Sequence, residues 1–143
     1  MRPRFERCLE TGKIVRIGRD PALVSKEIME AERDLKSAKD SNGRNDFKWA
    51  IIQGYYSQFH SIRALVFSEG YREKSHSCLL YAAEALLLDE GIIDREVVEA
   101  FSHAMRVREA ADYSSTYGEE AAEDVVRSTV RTFDIAKGLL LKD

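Results

Sequence analysis

The chain has 143 residues, of which 44% are hydrophobic, and this length and composition suit one compact domain with a buried core. No apolar run approaches the ~20 residues of a membrane-spanning helix. The first residues are basic and lack the apolar stretch of a signal peptide, so we expect a cytoplasmic protein. The net charge of −3 argues against a general nucleic-acid binder.

Residues 1–19 hold a concentration of basic side chains. Six arginines and lysines stand there against two glutamates, a local charge of +4, which leaves −7 on the remainder of the chain. Residues 1–19 follow no clean period, so we predict a basic N-terminal arm over residues 1–19 and a single helical domain over residues 20–143. Within the arm, a short extended piece or packing against the body is open to Ile14, Val15 and Ile17. Such an arm can contact RNA phosphates, but a solvated tail is the commoner role of a basic stretch.

The remaining chain divides into five segments with helical periodicity. Asp20-Pro21 has the form of a helix start, with aspartate as the cap and proline at the first helical position. The second segment is apolar on nearly all sides, which predicts a central helix buried in a bundle. The pattern therefore predicts an all-α, up-and-down bundle of four to five helices without a convincing strand, with helices at about 20–41, 46–69, 75–90, 94–113 and 116–140, the last capped by Thr116.

The two cysteines lie in different contexts, Cys8 in the basic segment and Cys78 beside leucines of the third helix. We therefore expect no disulfide and interpret Cys78 as a small core residue. Neither cysteine has further ligands at zinc-finger spacing, and the carboxylates lack the spacing of di-iron bundles. The sequence also lacks phosphate-binding and dinucleotide-binding glycine motifs, so we expect neither a metal nor another cofactor.

A column of polar side chains interrupts the apolar central helix. Gln53, Tyr56, His60 and Arg63 recur at steps of three, four and three residues, which aligns them along one edge. Two interpretations remain open: these side chains satisfy one another or pair across a dimer interface, or they bind a phosphate. After the turn at Gly70, further basic residues stand at the start of the third helix and favour an anion there: Arg72, Lys74 and His76.

Three ordered motifs resemble the HEPN family (higher eukaryotes and prokaryotes nucleotide-binding domain). They are Gly54-Tyr55-Tyr56-Ser57-Gln58-Phe59-His60-Ser61-Ile62-Arg63-Ala64-Leu65, then Gly70-Tyr71-Arg72-Glu73-Lys74-Ser75-His76-Ser77, then Arg108-Glu109-Ala110-Ala111-Asp112-Tyr113. The resemblance implies a helical bundle that forms a homodimer. It also implies a partner, because small HEPN proteins are often paired with a minimal nucleotidyltransferase in toxin–antitoxin-like systems.

Catalytic HEPN proteins, as the resemblance implies, are metal-independent ribonucleases with an arginine, four to six residues and then a histidine, paired across a dimer. None of the three histidines here has arginine at that spacing, and Arg72 precedes His76 with only three residues between them. Our leading hypothesis is a nucleotide- or RNA-associated module, the toxin-like partner of a nucleotidyltransferase. The alternatives are an endoribonuclease that uses Arg72 and His76, and a helical scaffold for protein interaction.

The hypothesis assigns a role to each candidate residue. His76 transfers protons and Arg72 stabilises phosphate charge if there is catalysis. The side chains assigned to nucleotide or phosphate binding are Arg63, Lys74, Tyr56 and His60. Arg108 and Asp112 stand one helical turn apart, and we interpret them with Tyr113 as scaffold. Because they belong to the third motif of the resemblance, a contribution to the site is the alternative.

Overall fold

The computed structural model describes residues 2–141, which form six helices and two three-residue strands. Most helices begin and end close to the positions that the sequence pattern predicts, and the predicted all-α bundle is confirmed. The elements in chain order are α1 (Arg2–Glu10), β1 (Ile14–Arg16), α2 (Pro21–Gly43), α3 (Phe47–Ser68), β2 (Tyr71–Glu73), α4 (His76–Ala82), α5 (Arg95–Tyr113) and α6 (Glu119–Leu140). A π-helical stretch, Ala83–Leu88, continues α4.

Helix α3 is the centre of the bundle and packs against α2, α5 and α6. Its apolar side chains point in nearly every direction, and 14 of its 22 residues are buried, as the composition predicts. Helix α2 covers one side, and its start is held by Asp20, whose side chain accepts a hydrogen bond from the Leu23 N–H at 3.2 Å. No helix within residues 2–141 is both long and apolar enough to cross a membrane.

The N-terminal segment, which the sequence analysis treats as an arm, has regular structure and packs against the bundle. Its first part is helix α1, and β1 then pairs antiparallel with β2, with Val15 opposite Arg72. Phe5, Cys8 and Ile14 are buried in the main core. Sequence periodicity does not reveal three-residue strands because they are too short to show an alternating pattern, and they are stabilised by their pairing and by the core beneath them.

A disulfide joins Cys8 of α1 to Cys78 of α4, so the expectation of no disulfide is wrong. The two residues are 70 positions apart in the sequence, and their Cα atoms lie 6.0 Å apart because α1 packs against α4. Both cysteines are buried, as expected for Cys78. Sequence context could not show this pairing, because only the tertiary fold brings α1 beside α4.

Candidate functional site

His76, the first residue of α4, lies against the aromatic face of α3. Ser75 caps this helix by accepting a hydrogen bond from the Cys78 N–H at 3.1 Å, which fixes where α4 begins. The imidazole Nδ1 is 2.6 Å from the Tyr55 hydroxyl, and the ring lies 4.5 Å from the Phe59 ring. The turn after α3 therefore returns the chain so that His76 meets the middle of the central helix.

The hydrogen bond between Tyr55 and His76 defines the protonation of both groups. Tyr55 is fully buried, and burial raises the pKa of its hydroxyl well above the ordinary value, so the phenol keeps its proton. Within residues 2–141, His76 Nδ1 is the acceptor in reach of that proton. Tyr55 therefore donates to Nδ1, and the neutral imidazole carries its own proton on Nε2.

The same histidine stays neutral because its surroundings disfavour the charged form. Burial is the main cause that lowers the pKa of His76 below 6.5, and the charges of Arg108 and Arg63 lower it further, against an opposing effect of Glu109. A neutral histidine with this tautomer can donate a hydrogen bond from Nε2, and it can act as an acid only after it has bound a second proton.

Arg108 of α5 completes the arrangement, which we call the Tyr–His–Arg cluster (Tyr55, Tyr56, His76 and Arg108). Its Nη2 donates to Tyr56 at 3.4 Å and pairs with Asp112 at 3.2 Å. The guanidinium carbon is 5.8 Å and 5.5 Å from the centres of the Tyr55 and Tyr56 rings. Arg108 Nε is buried and has no hydrogen-bond partner among the described residues. The cluster therefore combines a neutral histidine, a phenol and a fixed cation.

A second group, the carboxylate network, holds two of the predicted phosphate-binding residues. His60 Nδ1 is 2.8 Å from Glu27, and Arg63 is 3.5 Å from the same carboxylate oxygen and 3.1 Å from Glu73. Burial would raise the pKa of Glu27, but the hydrogen bond and charge of His60, with those of Arg63, hold that pKa below 4.5. His60 and Arg63 are thus engaged by carboxylates of the protein itself.

The structure divides the predicted site residues among three places. Tyr56 and His76 meet in the Tyr–His–Arg cluster, His60 and Arg63 belong to the carboxylate network, and the exposed Lys74 lies beside Lys13 where the two strands meet. Arg72 is exposed, and its guanidinium lies 5.5 Å from the Phe67 ring. No hydrogen bond or ion pair within residues 2–141 joins Arg72 to His76.

Three residues of the Tyr–His–Arg cluster and the carboxylate network were not placed in a site by the sequence analysis: Arg108, Glu27 and Glu73. The sequence interpretation assigns Arg108 to the scaffold, and the predicted pairing with Asp112 is present, but the same guanidinium also reaches Tyr56. The occurrence of Arg108 in the third motif of the resemblance is the available signal. Glu27 is one of several glutamates on α2, and nothing in the sequence marks it as the buried one. Residues 2–141 contain no group of three or more histidine, cysteine or acidic side chains arranged to hold a metal.

The bundle, the paired tyrosines of its central helix, and the histidine and arginine that meet them define a HEPN-type helical domain. The HEPN domain family matches residues 24–139, so the chain belongs to this family, as its three motifs predict.

Two proteins of Methanocaldococcus jannaschii are similar in sequence. Putative toxin MJ0142 is 30% identical over 95 residues, which cover 65% of this chain and 63% of that protein. Putative toxin MJ0605 is 27% identical over 114 residues, which cover 73% of this chain and 85% of that protein. The match therefore spans less than two thirds of the first relative.

A solved structure has the same fold. The crystal structure of TT1696 from Thermus thermophilus superposes with a TM-score of 0.69 and covers 81% of this chain and 97% of that one. Sequence identity in the superposition is 15%, so this likeness concerns the fold alone.

Proposed function

We propose that this protein is the toxin-like member of a toxin–antitoxin-type pair, an RNA-associated HEPN homodimer whose partner is a minimal nucleotidyltransferase. Family membership and two relatives named as toxins support the class. The observation that carries the site is the Tyr55–His76 hydrogen bond of 2.6 Å beside the Arg108 guanidinium. In this proposal the Tyr–His–Arg cluster is where RNA is engaged.

The chemistry of the cluster suits a phosphodiester. An arginine held by Tyr56 and Asp112 can stabilise negative charge on phosphate oxygens. His76, with Tyr55 fixing its tautomer, presents an Nε2–H that can donate a hydrogen bond to a phosphate oxygen. These contacts to a phosphate need no metal.

The meeting of His76 and Arg108 at the paired tyrosines favours a second candidate function, a metal-independent endoribonuclease. The sequence pairs Arg72 with His76 for this role, whereas the geometry supports Arg108 as the cation. Two copies of the cluster across a homodimer would bring two histidines to one scissile bond. A neutral imidazole of one copy would take the proton of the attacking hydroxyl, and a protonated imidazole of the other copy would give a proton to the leaving oxygen. A protein scaffold without a nucleic-acid ligand is the remaining alternative.

Two measurements on the purified protein test these alternatives: its melting temperature with and without RNA, and its cleavage of RNA in EDTA. We expect RNA to raise the melting temperature, because a ligand of the native state stabilises it. If the protein is a ribonuclease, cleavage should be lost in His76→Ala and in Arg108→Lys and kept in the matched histidine control His103→Ala, which changes an exposed residue of α5. Loss of cleavage in Arg72→Ala instead would favour the sequence-based pair.

Growth measurements test the toxin assignment. Expression of the chain should reduce colony counts, co-expression of a minimal nucleotidyltransferase should restore them, and His76→Ala should not be toxic. Absence of any RNA effect on melting, together with normal growth, would refute the proposal and leave the scaffold.

A further inference from the structure

A basic groove lies outside the Tyr–His–Arg cluster, between α1 and the start of α4. Its volume is about 700 Å³. Arg4, Arg7 and Lys13 line it from the N-terminal segment, and Ser75, Ser77 and Tyr81 line it from the opposite side. The Cys8–Cys78 disulfide joins its two walls. No carboxylate of the described residues lines this groove.

The cations of the groove form no ion pair with a described carboxylate. Glu84 is the carboxyl on which Arg4 acts: burial raises the pKa of Glu84, and the charge of Arg4 opposes that rise. Within residues 2–141, no carboxylate oxygen lies within ion-pair distance of Arg4, Arg7 or Lys13, whereas Arg63 has two such partners and Arg108 has one. The exposed Lys74 adds a further cation next to Lys13. Its backbone N–H donates to the Lys13 carbonyl at 2.8 Å, which keeps the two residues side by side. A concave surface lined by charge of one sign focuses the field and attracts a ligand of opposite charge.

The three groove cations belong to a part of the chain that the family match leaves out. They lie before residue 24, where that match begins. This segment carries +4 in a protein with a net charge of −3, so its positive charge is a local feature. The disulfide attaches the segment covalently to the bundle, which keeps the cations in a defined position.

We propose that this groove binds the phosphodiester backbone of single-stranded RNA. It is a binding site separate from the Tyr–His–Arg cluster, and the proposal does not require that the protein cleave RNA or be toxic. His76 stands between Ser75 and Ser77, the two serines that line the groove, so a strand held there lies against the same helical turn that carries the histidine.

An aromatic side chain beside the cations favours RNA over a membrane. The Arg4 guanidinium carbon lies 5.3 Å from the centre of the half-buried Tyr81 ring, and grooves for single-stranded nucleic acid combine such rings with basic residues. A membrane-binding surface needs apolar side chains that insert into lipid. The large exposed apolar residues of the described chain lie elsewhere: Met29, Trp49, Tyr113, Tyr117 and Leu141.

Fluorescence anisotropy with labelled oligouridine tests the groove. The double variant Arg7→Glu/Lys13→Glu should weaken binding at least about 10-fold and reduce the salt slope by ~1.4, because each lost single-strand phosphate contact removes ~0.7. The matched control Lys36→Glu/Lys39→Glu makes the same charge change on exposed positions of α2 and should bind nearly as the parent does. Arg4 is left unchanged because it also contacts Tyr81.

The outcomes separate this proposal from the proposed function. Melting curves first establish that both double variants fold, and Arg7→Lys/Lys13→Arg should keep the parental affinity and salt slope. Equal weakening by the groove variant and its control, or no weakening by either, overturns the groove whatever His76 does. Binding to phosphatidylserine vesicles with none to oligouridine also overturns it, in favour of a membrane. Groove-dependent binding that persists in His76→Ala supports the groove even if no cleavage or toxicity is found.

Discussion

Gly54 offers a sharp test of how α3 packs against α6. A Cβ atom added at this position would stand 2.8 Å from Val125 Cγ1 and 3.3 Å from Thr129 Oγ1. Val125 is 1% exposed, and its branched side chain has little freedom to move away. The Thr129 hydroxyl also donates to the Gly54 carbonyl at 3.0 Å, so a shift of the helices would strain that hydrogen bond.

The expected effect of Gly54→Ala is the difference between two opposing terms. Overpacking a tight core costs about 1–3 kcal/mol, whereas replacing a helical glycine by alanine gains about 0.5–1 kcal/mol. We therefore expect a net loss of roughly 1–2 kcal/mol in the free energy of unfolding, measured by urea denaturation monitored by circular dichroism.

Gly138 of α6 provides the matched control, since nothing lies within 4 Å of a Cβ added there. Gly138→Ala should leave stability unchanged or raise it by up to about 1 kcal/mol. In a Val125→Ala background, where the nearest obstacle is removed, Gly54→Ala should cost less than it does in the parent. If Gly54→Ala is as stable as Gly138→Ala, the close approach of α3 and α6 at this position is wrong.

Three further outcomes are expected. Glu27→Gln should lower the free energy of unfolding by about 1–3 kcal/mol at pH 7. The loss should shrink as the pH falls below 4.5, because a carboxyl with a lowered pKa stabilises the fold only while it is ionised. Equal losses at pH 7 and about pH 3.5 would contradict this explanation. In NMR titrations, His76 of the folded protein should protonate below pH 6.5. The unfolded chain then binds more protons than the folded one, so the stability of the parent should fall as the pH drops through that value, and that of His76→Gln should fall less. A pKa at or above 6.5 would remove the basis for a neutral imidazole. The variant Cys8→Ser/Cys78→Ser should have a free energy of unfolding about 2–4 kcal/mol lower than that of the oxidised parent. Dithiothreitol should destabilise the parent and leave the variant unchanged. A parent whose stability does not respond to the reductant would show that the disulfide does not stabilise the fold.

The division of the predicted site has a physical reason. Sequence spacing shows that Tyr56, His60 and Arg63 share one edge of α3, and helical geometry requires this. It cannot show which neighbours face that edge. Glu27 from α2 faces His60, while Arg108 from α5 reaches Tyr56, so one continuous column meets a carboxylate at one end and a cation at the other. The function of each position depends on the helix that packs against it.

The amino-acid sequence was sufficient to predict the helical bundle, the family and the buried state of α3, because these depend on local periodicity and on motifs within single helices. The Cys8–Cys78 disulfide, the strand pairing and the basic groove depend on α1 meeting α4 across about half the chain. The choice of Arg108 as the partner of the cluster likewise depends on α5 packing beside α3. Contacts between residues far apart in sequence arise from packing, which periodicity does not encode.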